Sequence, residues 1–329
     1  MQALFAPAIA LMNRLRYPMK FGLMGLMVMV AIAVLVVSLY KALDANIKSS
    51  RAELVGIEAI KPTQKLVQLL QQHRGMSAGA LAGNEAMKEK RAAKEKEVVE
   101  AVKFAESRFT PELQSSASWK AISAEWGNIK NDVMSWTGVE SFSRHTALID
   151  RVLVFMVDIA DEYSLTLDAE IDSYYLIDTV VNKAPVALER LGQMRAKGNA
   201  ILTKKQIVDQ QKIEMSSLMA ELNGATKTLD YNLEKTARFN PDMKKALQAA
   251  SKDFSESADQ VNKLVIDDMM LGGFATSAAD YFALTTTAID KGYKQIYDVM
   301  LPTLETLIQR RIDKLQSELR MSIGLVILM

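Results

Sequence analysis

An uninterrupted run of uncharged residues near the N-terminus, residues 21–40, constrains this chain more than any other feature. It reads FGLMGLMVMVAIAVLVVSLY and lies between Lys20 and Lys41. At about 1.5 Å per residue, a helix of this length extends roughly 30 Å, the thickness of the hydrocarbon core of a bilayer. The apolar core of a secretory signal has only about 7–15 residues. The run therefore predicts a retained transmembrane helix, with a cleaved signal as the alternative.

The charges around this run predict its orientation. Arg14, Arg16 and Lys20 precede it, and the first acidic residue of the chain is Asp44. Basic residues next to a membrane helix favour the cytoplasmic side. We therefore expect residues 1–20 to form a basic cytoplasmic N-terminus. The region after Tyr40 would then lie outside a bacterial inner membrane, in the periplasm if the cell is Gram-negative.

The C-terminal residues 321–329 form a second apolar stretch, MSIGLVILM, after a charged segment. A helix of this length reaches only about 14 Å, which is too short to span a bilayer. The stretch predicts the start of a second transmembrane helix that is cut short, so that the chain is a fragment of a longer protein. The alternative is an apolar tail that packs on the preceding domain.

Residues 42–320 carry the periodicity of helices and almost no strand signal. Apolar residues recur at three- and four-residue spacing, for example at Ile149, Val152, Leu153 and Met156. This spacing places them on one face of a helix. The sequence therefore predicts an all-α fold of antiparallel helical bundles between two transmembrane helices.

Helix-breaking residues divide this region into about eight segments. Thr110-Pro111, Gly198-Asn199 and Asn240-Pro241 are predicted helix ends, because proline restricts the residue before it and glycine favours termination. Short connections favour antiparallel neighbours. We expect two four-helix modules, residues 41–167 and residues 168–320, the second ending in a long last helix.

Composition and motifs exclude several kinds of chemistry. The chain has no cysteine, which excludes disulfides, thiolate metal sites and cysteine nucleophiles, and it has only two histidines. It contains no phosphate-binding glycine loop and no G-x-S-x-G or H-E-x-x-H motif. Asp168, Glu170 and Asp172 resemble calcium ligands but lack the glycine and distal glutamate of an EF-hand. We therefore predict no enzyme activity, no catalytic residues, no metal and no cofactor.

The charge balance bears on possible partners. Lysine and arginine number 40 and aspartate and glutamate 39, so the net charge is +1, which argues against a nucleic-acid partner. Residues 1–41 contain basic residues but no acidic ones, so the remainder is mildly acidic. A bound anion would therefore depend on a local basic group.

The segment QQHRGMSAGALAGN contains the first candidate ligand-binding residues, Arg74, His73 and Ser77. Gly75 and Gly79 permit another backbone to approach closely, and His73 and Ser77 fall near the middle of the apolar face. Arg74 lies at the edge of that face, where its charge must be paired or contact a bound anion. Its planar guanidinium suits oxyanions such as carboxylate or nitrate. The alternatives are that Arg74 extends to solvent or pairs with an internal acid, and that His73 is a hydrogen-bonded core residue.

A second candidate segment reads LDAEIDSYYLIDTVVNKAP. Tyr175, Asp178 and Asn182 lie together on the polar face of its helix. Pro185 removes the hydrogen bond to the Val181 carbonyl and should kink the helix. These groups predict the wall of a ligand pocket. The alternative is a solvated face next to an ordinary kink.

The chain resembles the N-terminal half of a bacterial methyl-accepting chemotaxis protein in its order of basic terminus, membrane span, long helical region and second span. The segment LDAEIDSYYLIDTVVNKAP is similar to one that recurs in the helical periplasmic input regions of such receptors. The segment QQHRGMSAGALAGN resembles the R-G-x-S-A helix of nitrate- and nitrite-sensing all-helical domains. Arg74 matches the arginine before the glycine of that motif.

The resemblance implies the sensory and membrane-anchoring part of a chemoreceptor. We expect a small molecule, such as an anion or organic acid, to bind the helical bundle and shift the first helix relative to the last. The resemblance also implies a homodimer, and a cytoplasmic part after Met329 that contacts chemotaxis signalling proteins. The alternatives are the input region of a histidine kinase or diguanylate cyclase, and a structural helical membrane protein without a ligand.

Overall fold

The computed structural model describes residue 10 and residues 13–328, with side chains through residue 324. All regular secondary structure in these residues is helical. The first helices are α1 Tyr17–Leu81, α2 Glu85–Glu106, α3 Pro111–Ser115, α4 Ala117–Asp132 and α5 Gly138–Glu162. The later helices are α6 Ile171–Asp178, α7 Ala184–Lys204, α8 Asp209–Phe239, α9 Lys244–Leu264, α10 Ala278–Gln295 and α11 Leu301–Leu328. The predicted all-α helical bundle is confirmed.

Three π-helical segments widen the helices of the second half. Thr179–Lys183 joins α6 to α7, Val265–Met270 follows α9, and Ile296–Met300 joins α10 to α11. A π segment inserts an extra residue into a helix and often lies at a functional position. Helices continue on both sides of the first and third segments, so these change the local winding without ending the helix, whereas Val265–Met270 is followed by a turn at Leu271.

Polar side chains define where the helices of the first half begin. Asn84 accepts a hydrogen bond from the backbone N–H of Met87 at the start of α2. Thr110, Ser116 and Thr137 cap α3, α4 and α5 in the same way. Such caps satisfy N–H groups that have no partner within the helix, which explains why the chain breaks at these positions.

The predicted helix end at Gly198-Asn199 is wrong. Helix α7 continues to Lys204 and ends where Lys205 adopts a positive φ of 48°. Gly198 serves packing instead, because a Cβ there would lie 2.3 Å from the Cε1 atom of Tyr281. Helix α1 is continuous from Tyr17 to Leu81.

Residues 51–309 form one compact unit. Its interior joins residues from both sides of the predicted module boundary at residue 168. The side-chain amide of Gln64 donates to the Val180 carbonyl, and Arg74 pairs with Glu189. The two predicted modules therefore share buried polar contacts, and their independence as folding units stays a prediction.

The other unit comprises the described parts of residues 1–50 and 310–329. Among the described residues, α1 is the one helix that is long and apolar enough to cross a membrane, and none of its apolar window is buried. The predicted second span falls partly outside the described residues, because side chains are described only to residue 324. The basic N-terminus likewise includes residues 1–9, 11 and 12, which lie outside them.

Candidate functional site

Arg74 of α1 forms a fully buried ion pair with Glu189 of α7. The side chains are 2% and 0% exposed. The Nη1 atom of Arg74 donates to Oε1 of Glu189 at 2.6 Å, and Nη2 donates to Oε2 at 3.1 Å. Nη1 also donates to the hydroxyl of Thr146 on α5 at 2.9 Å. Arg74 therefore pairs with an internal acid, which is one of the alternatives that the sequence left open.

Glycine at position 192 makes room for this pair. Gly192 lies one helical turn after Glu189 on α7, and a Cβ there would lie 2.9 Å from Nη2 of Arg74. The ring of Phe142 on α5 covers the guanidinium, with its centroid 5.2 Å from Cζ. Arg74 thus lies between the α7 backbone and an aromatic face, which fixes the plane of its guanidinium.

The carboxylate of Glu189 also accepts hydrogen bonds from two glutamines. Gln71 donates to Oε2 at 2.9 Å, and Gln193 donates to Oε1 at 2.8 Å. The side-chain oxygen of Gln71 in turn accepts from the hydroxyl of Tyr293, near the C-terminal end of α10, at 3.0 Å. Each carboxylate oxygen thus accepts one bond from Arg74 and one from an amide, which meets its hydrogen-bonding capacity. The sequence reasoning did not find Glu189.

Arg195 is a second buried cation next to this pair. It is 8% exposed, and its Nη1 donates to the hydroxyl of Thr286 on α10 at 2.9 Å. A Cβ at Gly75 would lie 3.7 Å from Nη2 of Arg195, so this guanidinium lies against α1 beside Arg74. Burial and the charge of Arg74 lower the pKa of Arg195 to about 10, so it remains protonated at neutral pH.

The sequence reasoning also missed Arg195, although one signal points to it. Arg195 lies two helical turns after the buried Leu188, so it falls on the buried face of α7. A charged residue at such a position needs a partner or a ligand. No carboxylate among the described residues lies within ion-pair distance of Arg195.

The buried charges at this site do not balance. Arg74 and Arg195 are cations, and Glu189 is the one buried anion among the described groups that contact them. The neighbouring Asp150 and Asp290 are exposed, and Lys197 pairs with Glu214. The three buried charges at this site therefore sum to +1. An unbalanced buried charge is costly, and a monoanion would neutralise it.

His73 and His145 form a hydrogen-bonded pair in the first half of the unit. Nδ1 of His73 and Nε2 of His145 are 2.9 Å apart, and Nδ1 of His145 donates to the Ser141 carbonyl at 2.6 Å. This geometry assigns the donor of the pair to His73. Burial, followed by the charges of neighbouring groups, lowers the pKa of His73 to about 3; burial also lowers that of His145 to about 4. In the structure, His73 is therefore a hydrogen-bonded core residue.

The sequence profile described as nitrate and nitrite sensing matches residues 65–304. The chain belongs to this nitrate- and nitrite-sensing family. No curated protein matches it in sequence. Among solved structures, the NasR transcription antiterminator is similar, with a TM-score of 0.57 and 15% identity over 90% of this chain and 83% of that one. At this identity the likeness concerns the fold.

The nitrate- and nitrite-sensing region includes every residue of the arginine cluster, which we define as Arg74, Glu189 and Arg195. It also includes the other predicted site residues. Ser77 is fully buried, with its hydroxyl 3.5 Å from Nδ1 of His73, at the limit of hydrogen bonding. Ser77 therefore lies next to the hydrogen-bonded pair of His73 and His145.

Tyr175, Asp178 and Asn182 each make contacts between or within helices. Asp178 accepts from Asn182 at 2.9 Å and from Asn232 of α8 at 2.8 Å. The ring of Tyr175 meets that of Tyr231 edge to face, with centroids 5.9 Å apart. These contacts join helices α6 and α8. The assignment of the three residues to a ligand pocket stays a prediction.

Proposed function

We propose that this chain is the sensory part of a membrane receptor that binds nitrate or nitrite at the arginine cluster. The observation that supports this proposal is the net charge of +1 of the buried arginine cluster, which lies within the family-matched region. A monoanion is the ligand that neutralises such a site. The proposed role is binding and signalling, without catalysis.

The chemistry of the cluster favours a small planar oxyanion. Guanidinium groups present parallel donors in one plane, which match the oxygens of nitrate, nitrite or a carboxylate. The hydroxyls of Thr146 and Thr286 each accept from an arginine and retain a hydrogen of their own to donate. The cluster is tightly packed, which favours inorganic ions over larger organic acids.

We further propose that the sensor is anchored in a bacterial inner membrane, faces the periplasm and works as a homodimer. The apolar part of α1 and the resemblance to methyl-accepting chemotaxis proteins support this assignment. In that arrangement α11 leads to a second span and to chemotaxis signalling proteins. A histidine kinase or diguanylate cyclase as the output is the alternative, and the sequence encoded after residue 329 distinguishes them.

Titration calorimetry of the full chain in detergent and chloride-free buffer tests the binding proposal. We expect nitrate or nitrite to bind with one site per chain, and chloride, acetate and sulfate to bind more weakly. Arg195→Gln should weaken binding by about tenfold or more, because it removes the unbalanced charge. Arg190→Gln is the matched control, since Arg190 lies on the same helix and pairs with Glu221 at the surface.

Arg195 is a better target than Arg74 for this test. Arg74→Ala would leave Glu189 buried without its partner, at a cost of about 3–5 kcal/mol, so lost binding would not be separable from lost folding. Absence of binding by every anion tested, or equal binding by wild type and Arg195→Gln, would contradict the proposed site.

A further inference from the structure

A chain of buried hydrogen bonds connects the arginine cluster to the last helices. The hydroxyl of Tyr293 donates to Gln71, and Gln71 donates to Oε2 of Glu189. The same Oε2 accepts from Nη2 of Arg74. Tyr293, Gln71 and Glu189 are each no more than 2% exposed. A displacement of Glu189 therefore alters the hydrogen bonds of Tyr293 without solvent to replace them.

We propose that Glu189 is the resident counter-anion of the site, and that an incoming anion competes with it for Arg74. Gln71 and Tyr293 then transmit the displacement of the carboxylate to α10 and α11. This inference rests on the proposed function and adds its regulation. It assigns a ligand-competing residue and two coupling residues that the family match does not identify.

Competition follows from the way Glu189 occupies Arg74. Its two oxygens take one donor from each terminal nitrogen of the guanidinium, which is the arrangement that an oxyanion ligand would use. An anion that enters the cluster is also repelled by the carboxylate, since both are negative in a dry interior. Glu189 thus weakens anion binding and is displaced when an anion binds.

Irregular helix geometry follows Tyr293 in the last helices. Tyr293 lies one turn before the π-helical segment Ile296–Met300, and Pro302 follows that segment. A π-helical segment and a proline both interrupt the regular hydrogen bonds of an α-helix, so the helix can change its geometry more easily here. Beyond it, Glu305 of α11 forms an ion pair with Lys61 of α1. A shift at Tyr293 therefore reaches the contact between the first and last helices of this unit.

The first arm of the test measures anion affinity in the full chain. Nitrate and nitrite are titrated into wild type, Glu189→Gln and the control Glu221→Gln, which makes the same change at a surface pair. Glu189→Gln should bind about tenfold more tightly, because a competing negative charge is removed. If this variant is unstable without anion, nitrate should raise its unfolding temperature more than that of wild type.

The second arm measures coupling. The chain has no cysteine, so spin labels can be attached at Lys65→Cys on α1 and Thr306→Cys on α11. In wild type we expect nitrate to change the distance between the labels. Tyr293→Phe should still bind nitrate but lose this distance change. Tyr297→Phe is the matched control, since its buried hydroxyl has no partner among the described residues.

The outcomes separate the two proposals. Absence of anion binding to wild type would overturn the proposed function and this inference together. Binding to wild type with equal or weaker affinity in Glu189→Gln would overturn only the competing role of Glu189. A distance change that persists in Tyr293→Phe, or one that is absent from wild type with nitrate bound, would overturn the coupling.

Discussion

At the scale of single residues, the central feature of the site is the buried ion pair of Arg74 and Glu189. Removing two charges from water costs roughly what their attraction returns, so such a pair adds little net stability. Loss of one partner is costly, because the other charge stays buried. The pair is better understood as a precise arrangement of donors and acceptors, which the neighbouring Gly192 and Phe142 hold in place.

Gly192→Ala should disturb this arrangement. The added methyl group would lie 2.9 Å from Nη2 of Arg74 and force it to move. We expect the free energy of unfolding in urea to fall by about 1–3 kcal/mol. Gly224→Ala on α8 is the control, because nothing lies within 4 Å of its Cβ, and it should stabilise by about 0.5–1 kcal/mol. Equal effects of the two substitutions would contradict the close packing of Arg74.

The buried histidine pair should make stability depend on pH. The pKa values of His73 and His145 are lowered to about 3 and about 4, so between there and about 6.5 only the unfolded chain binds protons at these sites. Stability is therefore complete above pH 6.5 and falls as the pH decreases. We expect a loss of about 1.4 kcal/mol per pH unit for each histidine.

Urea unfolding between pH 7.5 and 4.5 measures this dependence, compared with a variant that carries His73→Gln and His145→Gln. The difference between the two curves isolates the histidines from the carboxylates. Parallel curves for wild type and the double variant would show that the pair is not held neutral in the folded chain.

At the scale of helices, the sequence predicted the ends that follow from local chemistry and missed those set by packing. Helix α2 ends at Glu106, shortly before Thr110-Pro111, where the Thr110 side chain caps the start of α3. Helix α8 ends at Phe239, directly before Asn240-Pro241. Gly198 fails as a signal because its small size accommodates Tyr281 from α10, a contact that no local pattern contains. Arg195 was missed for a related reason: its neighbours come from α1 and α10.

Asp178 tests whether the predicted polar face of α6 is a helix contact or a ligand site. Asp178→Ala removes the hydrogen bonds with Asn182 and Asn232 and should lower the free energy of unfolding by about 1–3 kcal/mol. Anion affinity in calorimetry should not change. Asp161→Ala, at an exposed position of α5, is the control and should stay within about 0.5 kcal/mol of wild type. A loss of anion binding in Asp178→Ala would show that this face of α6 belongs to the ligand site.

At the scale of the whole molecule, hydrophobic periodicity was sufficient to predict the all-helical fold of the described residues, whereas the membrane helix at the apolar run stays a prediction. The three π-helical segments and the buried ion pair were not predictable, because both depend on which helices become neighbours. The sequence indicated that Arg74 needs a partner or a ligand, because it lies at the edge of an apolar face. It could not identify Glu189, whose burial arises only when α7 packs against α1.

Membrane attachment is tested by extraction. We expect the full chain to remain in the membrane fraction after an alkaline carbonate wash, because residues 21–40 form an apolar helix of bilayer length. A chain that lacks residues 1–41 should be released to a greater extent. Complete release of the full chain by carbonate would contradict a membrane-spanning role for α1.

The most direct test of the anion site is a crystal structure of the full chain with nitrate. We predict density for one planar anion with an oxygen within about 3.2 Å of a guanidinium nitrogen of Arg195 and of Arg74. The Glu189 carboxylate should have moved away from at least one nitrogen of Arg74. Nitrate bound elsewhere, or an arginine cluster that remains unchanged and empty when nitrate saturates the chain in solution, would contradict the site.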